Sequence, residues 1–321
     1  MFAMKAHHSL YRIGSRLSQN SLYATIRNAL VQMAQDQRDA WVRERQPGIQ
    51  KKYTIVLDNI QAYAKRRNVR IGRCNQMLTG TGATAVEMED CPEGAFELQP
   101  IMDARNAGKR REATAEVIAK SIDVEHTQHV GSLHWLDSLV TFVPALASYQ
   151  PAIANLFRET AGKHQINPKR HTTIHPLGTN SENEMTSWGL KRAMEDFIQQ
   201  IGLTPEAFES DKHLLFMMGD GKTFEGMNKV KHYLEDEDGD FAALRFVQPN
   251  LEIWHTKWTD LGRICRGAWG KGFKHVDPST LGYMAKAMNS PAPNDFLKVD
   301  FYTNFNLVQT VMRAHMLSCW E

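Results

Sequence analysis

No apolar run in this chain is long enough to cross a bilayer. The stretch Leu139–Ala147 is interrupted by Thr141 and Pro144, well short of the roughly 20 apolar residues a spanning helix needs. No membrane partner is therefore expected. The opening residues MFAMKAHHSLYRIG lack the apolar core of a secretory signal, although Lys5, Arg12, Arg16 and Arg27 precede the first acid, Asp36, as in a mitochondrial transit peptide. Cysteine is scarce: Cys74, Cys91, Cys265 and Cys319 include no CxxC pair. That argues against a disulfide scaffold and fits a reducing, intracellular compartment. An excess of one charge sign is missing too, the net charge being only +2. No internal repeat or low-complexity tract occurs. What remains is a globular composition, 42% apolar and 23% charged over 321 residues, enough for one large domain or two ordinary ones.

The apolar pattern predicts a mixed α/β fold with few strands and many helices. Leu22, Ile26, Ala29, Leu30 and Met33 recur at helical spacing within 17–45, and Pro47-Gly48 ends that run. KKYTIVLDN then reads as a buried strand near 53–58 that closes on Asp58-Asn59. HLLFMM reads as a second strand near 213–218, closing on Gly219-Asp220-Gly221, and further strand-like residues fall within 244–254. Helices are expected near 112–122, 131–148, 151–160, 188–201, 256–268, 279–288 and 297–319, with 161–187 as loop. The core strands would then carry a largely helical insertion over about 100–210.

Two aspartates at strand ends are the most informative residues. Ligand sites of open α/β sheets gather where strands emerge, and convergent carboxylates hold Mg²⁺ or Mn²⁺, ions that prefer oxygen ligands. Asp58 and Asp220 are therefore the candidate metal ligands and catalytic acids. The bland alternative is that Asp58 begins a turn and Asp220 caps a helix. In LEIWHTKWTDL, His255 could orient a phosphate or move a proton, or it could simply sit among the structural tryptophans Trp254 and Trp258. Nine Lys or Arg against Glu44 and Asp58 lie between Arg43 and Arg73. Within this stretch Lys65, Arg66, Arg67, Arg70 and Arg73 are candidate contacts to a nucleic-acid backbone. A solvated basic face is the alternative. GDGKT ends like a phosphate-binding loop, but Phe216 stands where the motif needs glycine, and TGTGAT (79–84) has no strand–helix frame around it. No small-molecule cofactor is indicated. His171 and His175 sit four apart in a stretch without helical pattern, so zinc is not expected there.

The strings LDNIQAYAKRRNVRIGRCNQMLTGTGATAVEMEDCPEGAF, GSLHWLDSLV, LEIWHTKWTDLGRI and DPSTLGYMAKA resemble a mushroom-lineage fungal family, that of the domain of unknown function six-five-eight-nine. The resemblance runs from about Tyr53 to Trp320. It implies a single family domain over 51–321 behind an N-terminal helical extension, 1–50. Longer members continue on both sides, which implies a short or truncated member here. The order strand, Gly-Asp, helix, strand, Trp-His is also similar to Mutator-type transposases. Those enzymes have a ribonuclease-H-like core and an Asp–Asp–Glu set. That similarity implies Asp58 as the first acid, Asp220 as the second and His255 as the downstream histidine. It leaves the third carboxylate unassigned, with Glu252, Asp260, Asp277 and Asp300 all open.

Three functions follow as expectations. One is a mobile-element-derived nucleic-acid-binding protein with a degenerate ribonuclease-H-like site. Another is an active Mg²⁺- or Mn²⁺-dependent nuclease or strand-transferase using Asp58 and Asp220. The third is a structural or protein-interaction domain. DNA is the expected partner of the first two, which would place the protein in the nucleus; otherwise the cytoplasm is expected.

Overall fold

In a computed structural model the described residues are 51–65, 74–163, 167, 169–270 and 277–320, with helical positions 25, 28–29, 31–33, 35–36 and 39–40 before them. The chain forms two compact units, Met1–Pro100 with Thr172–Leu251, and Ile101–His171 with Glu252–Glu321.

The first unit is built on a mixed five-stranded sheet. β1 (Tyr53–Ala64) and β2 (Gln76–Glu87) form a long antiparallel pair, in register from Tyr53 opposite Glu87 to Ala64 opposite Gln76. β3 (Ile174–Pro176) adds antiparallel to β2; β4 (Leu215–Gly219) lies parallel to β1, and β5 (Val247–Leu251) parallel to β4. The strand order is β3-β2-β1-β4-β5. Helices follow one another as α1 (Gln99–Asn106), α2 (Ala115–Lys120), α3 (Val124–Phe142), α4 (Gln150–Thr160), α5 (Ser187–Gln200), α6 (Pro205–Ser210), α7 (Gly221–Tyr233), α8 (Ile253–Ala268), α9 (Leu281–Ala287) and α10 (Phe301–Ser318). Of these, α5, α6 and α7 belong to the first unit.

The mixed α/β class expected from the pattern is the one observed. Ile55 and Leu57 of β1, Leu215 and Met217 of β4, and Leu190, Met194 and Phe197 of α5 are essentially inaccessible to solvent. The helical positions recur at three- and four-residue spacing, so one face of α5 turns to the core. Its start is fixed by Thr186, whose hydroxyl accepts a hydrogen bond from the Gly189 N–H at 3.1 Å. Thr186→Ala should therefore cost about 1 kcal/mol of unfolding free energy, measured by urea titration. An unchanged midpoint would mean that the cap bond does not form in solution.

Four strands differ from expectation: β1 does not close on Asp58-Asn59 but runs on to Ala64 against β2, and β3 falls within 161–187, expected to be loop. β2 runs through TGTGAT, which reads as a glycine cluster without strand character; its glycines serve close approaches, since a Cβ on Gly80 would lie 2.5 Å from the Asn180 carbonyl oxygen. β5 covers only Val247–Leu251 of the strand-like stretch 244–254. It contains Pro249, tolerated because β5 is at the sheet edge. The apolar WH region after it turns helical because the Glu252 carboxylate accepts the N–H groups of Trp254 (2.7 Å) and His255 (2.8 Å).

The second unit is helical, with a core of Leu261, Cys265, Trp269, Leu281, Val299 and Leu307 among others. Trp258 packs against this core and donates its indole N–H to the Val299 carbonyl at 2.7 Å. Arg313 of α10 pairs with Asp137 of α3 at 2.8 Å.

Candidate carboxylate site

The β1–β4 ladder pairs Thr54 with Phe216, Ile55 with Met217 and Val56 with Met218. Two residues further on, the same register brings Asp58 level with Asp220, which directly follows Gly219 at the end of β4. Neighbouring strands stand about 4.8 Å apart, and level residues of parallel strands share a face. The two acids, far apart in sequence, are therefore brought level where β4 ends, Asp58 midway along β1 and Asp220 just beyond β4.

A third acid joins them. Thr81 of β2 lies opposite Asn59. It exchanges backbone hydrogen bonds with Asn180 at 3.1 and 3.0 Å, and its hydroxyl donates to the Glu182 carbonyl at 3.0 Å. At the other end of this segment, Gly189 of α5 admits the Asn183 carbonyl oxygen to within 2.2 Å of where a Cβ would stand. Residues 180–186 are thus seated between β2 and the start of α5. Glu184 is brought near enough for the Asn59 and Thr223 side chains and the charges of Asp58 and Asp220 to act on its carboxyl.

Glu184 is only 8% exposed, and its Oε2 accepts no hydrogen bond among the described residues. Burial pushes its carboxyl above the ordinary carboxylate range; the Asn59 side chain eases this, the charges of Asp58 and Asp220 add to it, and Thr223 eases it slightly. The net displacement is upward. Mutual repulsion among three acids, one of them desolvated, is the condition a divalent cation relieves. The all-oxygen donor set suits Mg²⁺ or Mn²⁺ better than zinc.

As they stand, Asp58 Oδ1 accepts the Asn59 N–H and Asp220 Oδ1 accepts the Thr223 N–H, each at 2.8 Å. The second bond caps α7. Among the described residues no three His, Cys, Asp or Glu side chains converge closely enough to hold an ion. Ligation by this trio therefore requires side-chain rotation. Beside it, Glu184, Ser187, Lys222, Thr223 and Lys229 line a cleft of about 270 Å³.

The other candidates have local partners. His255 lies in the second unit, where its Nδ1 sits 2.9 Å from Glu252 Oε2 and its ring stacks on Trp258. Burial pushes the Glu252 carboxyl up, but the His255 and Trp254 N–H groups and the His255 ring outweigh it and hold it below its ordinary value. Asp260 pairs with Arg263 at 2.8 Å. Asp277 and Asp300 accept the N–H groups of Ser279 and Thr303. Lys65 is exposed at the end of β1, while Arg66, Arg67, Arg70 and Arg73 lie outside the described residues.

Glu184 escaped sequence reasoning because it stands in a loop, TNSENEMTSW. The one local signal is its place two residues before a helix cap.

The model of a family of unknown function, DUF6589, matches residues 108–321, two thirds of the chain. The chain belongs to this family. The DUF6589 stretch contains Glu184 and Asp220, while Asp58 precedes it. No curated protein and no solved structure matches the chain. Among the described residues no helix is long and apolar enough to cross a membrane.

Proposed function

We propose that the first unit of this DUF6589 member is a ribonuclease-H-like, nucleic-acid-processing core of mobile-element type. Its site is formed by Asp58, Asp220 and Glu184. The observation that carries this reading is the β1–β4 register, which brings Asp58, midway along β1, level with Asp220, the residue after β4, with the buried Glu184, whose Oε2 accepts no hydrogen bond, nearby. The similarity to Mutator-type transposases calls for two such aspartates and a glutamate. Here Glu184 precedes Asp220 in the chain, so the third acid does not follow the Asp–Asp–Glu order.

Asp58 and Asp220 would hold Mg²⁺ or Mn²⁺ with Glu184. A cation there supplies Lewis acidity for phosphodiester hydrolysis. Glu184, its proton affinity raised by burial, is suited to take the proton of the attacking water. The oxygen of that water forms a new bond to phosphorus as the P–O bond to the departing nucleotide breaks. The departing oxygen takes a proton from solvent, which leaves one phosphate end and one hydroxyl end. A binding-only core is the second reading. It is favoured by the local hydrogen bonds that occupy Asp58 and Asp220.

Labelled DNA incubated with Mg²⁺ or Mn²⁺ separates the two readings. Wild type should cleave, and Asp58→Asn and Asp220→Asn should each lower the rate more than tenfold. Equal rates in all three, or no cleavage by any of them, would leave the binding-only core.

A further inference from the structure

We propose that the cleft between α5 and α7 is a subsite that seats one phosphosugar unit of a nucleic-acid strand, with Lys222 bound to its phosphate. This says how the site proposed above holds its substrate and rests on that reading.

Both helices shape the cleft. Ser187 and Leu190 of α5 line it together with Lys222, Gly226 and Lys229 of α7. The last three recur at helical spacing, so one stripe of α7 forms that wall. Gly226 lets the helices close on each other, since a Cβ there would lie 2.7 Å from Leu190 Cδ2. Glu184 joins the cleft to the carboxylate site, because it lines the one and stands beside the acids of the other. Its Oε2 is buried and accepts no hydrogen bond among the described residues. Buried polar atoms are nearly always partnered, so an unpartnered oxygen lining a cleft points to a ligand.

Charge selects the occupant. Lys229 is taken, its Nζ pairing with Glu225 at 2.7 Å, and the two charges cancel. The Lys222 ammonium forms no ion pair or hydrogen bond among the described residues. It is the surplus cation of the cleft, and it stands in the first turn of α7, where the helix dipole is positive. Asp220 accepts the Thr223 N–H, but the N–H groups of Gly221 and Lys222 have no acceptor among the described residues. Such a helix start favours phosphate, and lysine binds phosphate as a point charge. The charges also balance. Asp58 and Asp220 offset a dication, so a bound phosphodiester leaves one negative charge, which Lys222 cancels. Size sets the unit. About 270 Å³ lies just below the roughly 300–1,000 Å³ of whole small-molecule sites, which suits a phosphate with its sugar and is too small for a base pair. Met185 and Leu190 give the sugar an apolar wall.

The test is equilibrium binding of thymidine 5′-monophosphate to the full chain in Mn²⁺, with thymidine, inorganic phosphate and acetate for comparison. Cleavage of labelled DNA is followed in the same buffer. Lys222→Ala should bind the monophosphate about tenfold more weakly than wild type, and Lys222→Arg, which keeps the charge, within about threefold. Its melting temperature should not change, since Lys222 is exposed. Thymidine should bind about tenfold more weakly than its monophosphate, and inorganic phosphate should displace the monophosphate where acetate does not. In cleavage, Lys222→Ala should raise KM about tenfold and leave kcat within about threefold, as loss of uniform binding does. Equal affinity in wild type and Lys222→Ala, or no binding by wild type, overturns the subsite. Thymidine or acetate binding as well as the phosphates overturns its ligand class. If wild type binds the monophosphate through Lys222 but never cleaves DNA, the subsite stands and the nuclease reading falls. If all three proteins cleave with one KM, the nuclease reading stands and the subsite falls.

Discussion

Glu184→Gln should stabilise the cation-free protein at neutral pH and, in the same variant, slow Mn²⁺-dependent cleavage by about 10²-fold or more. The two effects have one cause. The folded-state carboxyl of Glu184 lies above the ordinary value of 4.5 because burial first, and then Asp58 and Asp220, disfavour its charge. The folded protein therefore binds this proton more tightly than the unfolded chain does. By linkage, the group's contribution to stability is complete below pH 4.5 and is lost as pH rises through the higher folded-state value. Glutamine has no charge to desolvate, so the variant should lack this loss. At pH 8 in EDTA the variant should melt at a higher temperature than wild type, and at pH 4 the difference should shrink. Added Mn²⁺ should raise the wild-type midpoint, since a cation that binds only the folded state stabilises it by mass action, and should raise that of the variant less. A variant that melts below wild type at pH 8 in EDTA would show that Glu184 is not a strained acid.

Asp58 and Asp220 stand out in the sequence because each follows an apolar burst that cannot be exposed; the expected strand exit holds for Asp220, just after β4, but not for Asp58, since β1 runs on to Ala64. The mixed α/β class followed from the same bursts set among longer 3.6-residue periods. What linear reading could not supply is register. Whether Asp58 meets Asp220 depends on Val56 pairing with Met218, and a slip of one residue would turn one acid to the opposite face. Glu184 was illegible for a related reason. Its position depends on Thr81 and Asn180 exchanging backbone hydrogen bonds, which no side-chain pattern announces. β2 was missed because its glycines count against a strand; here they admit the Asn180 carbonyl and the Ile60 side chain that a Cβ would exclude. At Glu252, a capping carboxylate outweighed the strand-like look of the aromatic residues that follow it.

Gly189→Ala should destabilise the protein by about 1–3 kcal/mol, although glycine to alanine inside a helix ordinarily stabilises by about 1 kcal/mol. The sign is reversed by the seating of the loop before α5. A Cβ at position 189 would stand 2.2 Å from the Asn183 carbonyl oxygen and 2.9 Å from the Thr186 hydroxyl. The first is backbone, and the second is already fixed as the helix cap. Neither can swing aside, so either the segment carrying Glu184 lifts from the helix or the first turn of α5 opens. Both movements take Glu184 away from Asp58 and Asp220, so the variant should also lose most of the stabilisation that Mn²⁺ gives wild type. Gly131, within α3, supplies the control, since a Cβ there meets nothing within 4 Å. Gly131→Ala should gain up to about 1 kcal/mol and leave the cation response intact. Unfolding free energies from urea titration, with and without Mn²⁺, read both variants. If Gly189→Ala behaved like Gly131→Ala, the loop would not be seated on α5, and Glu184 would have no fixed place beside the aspartates.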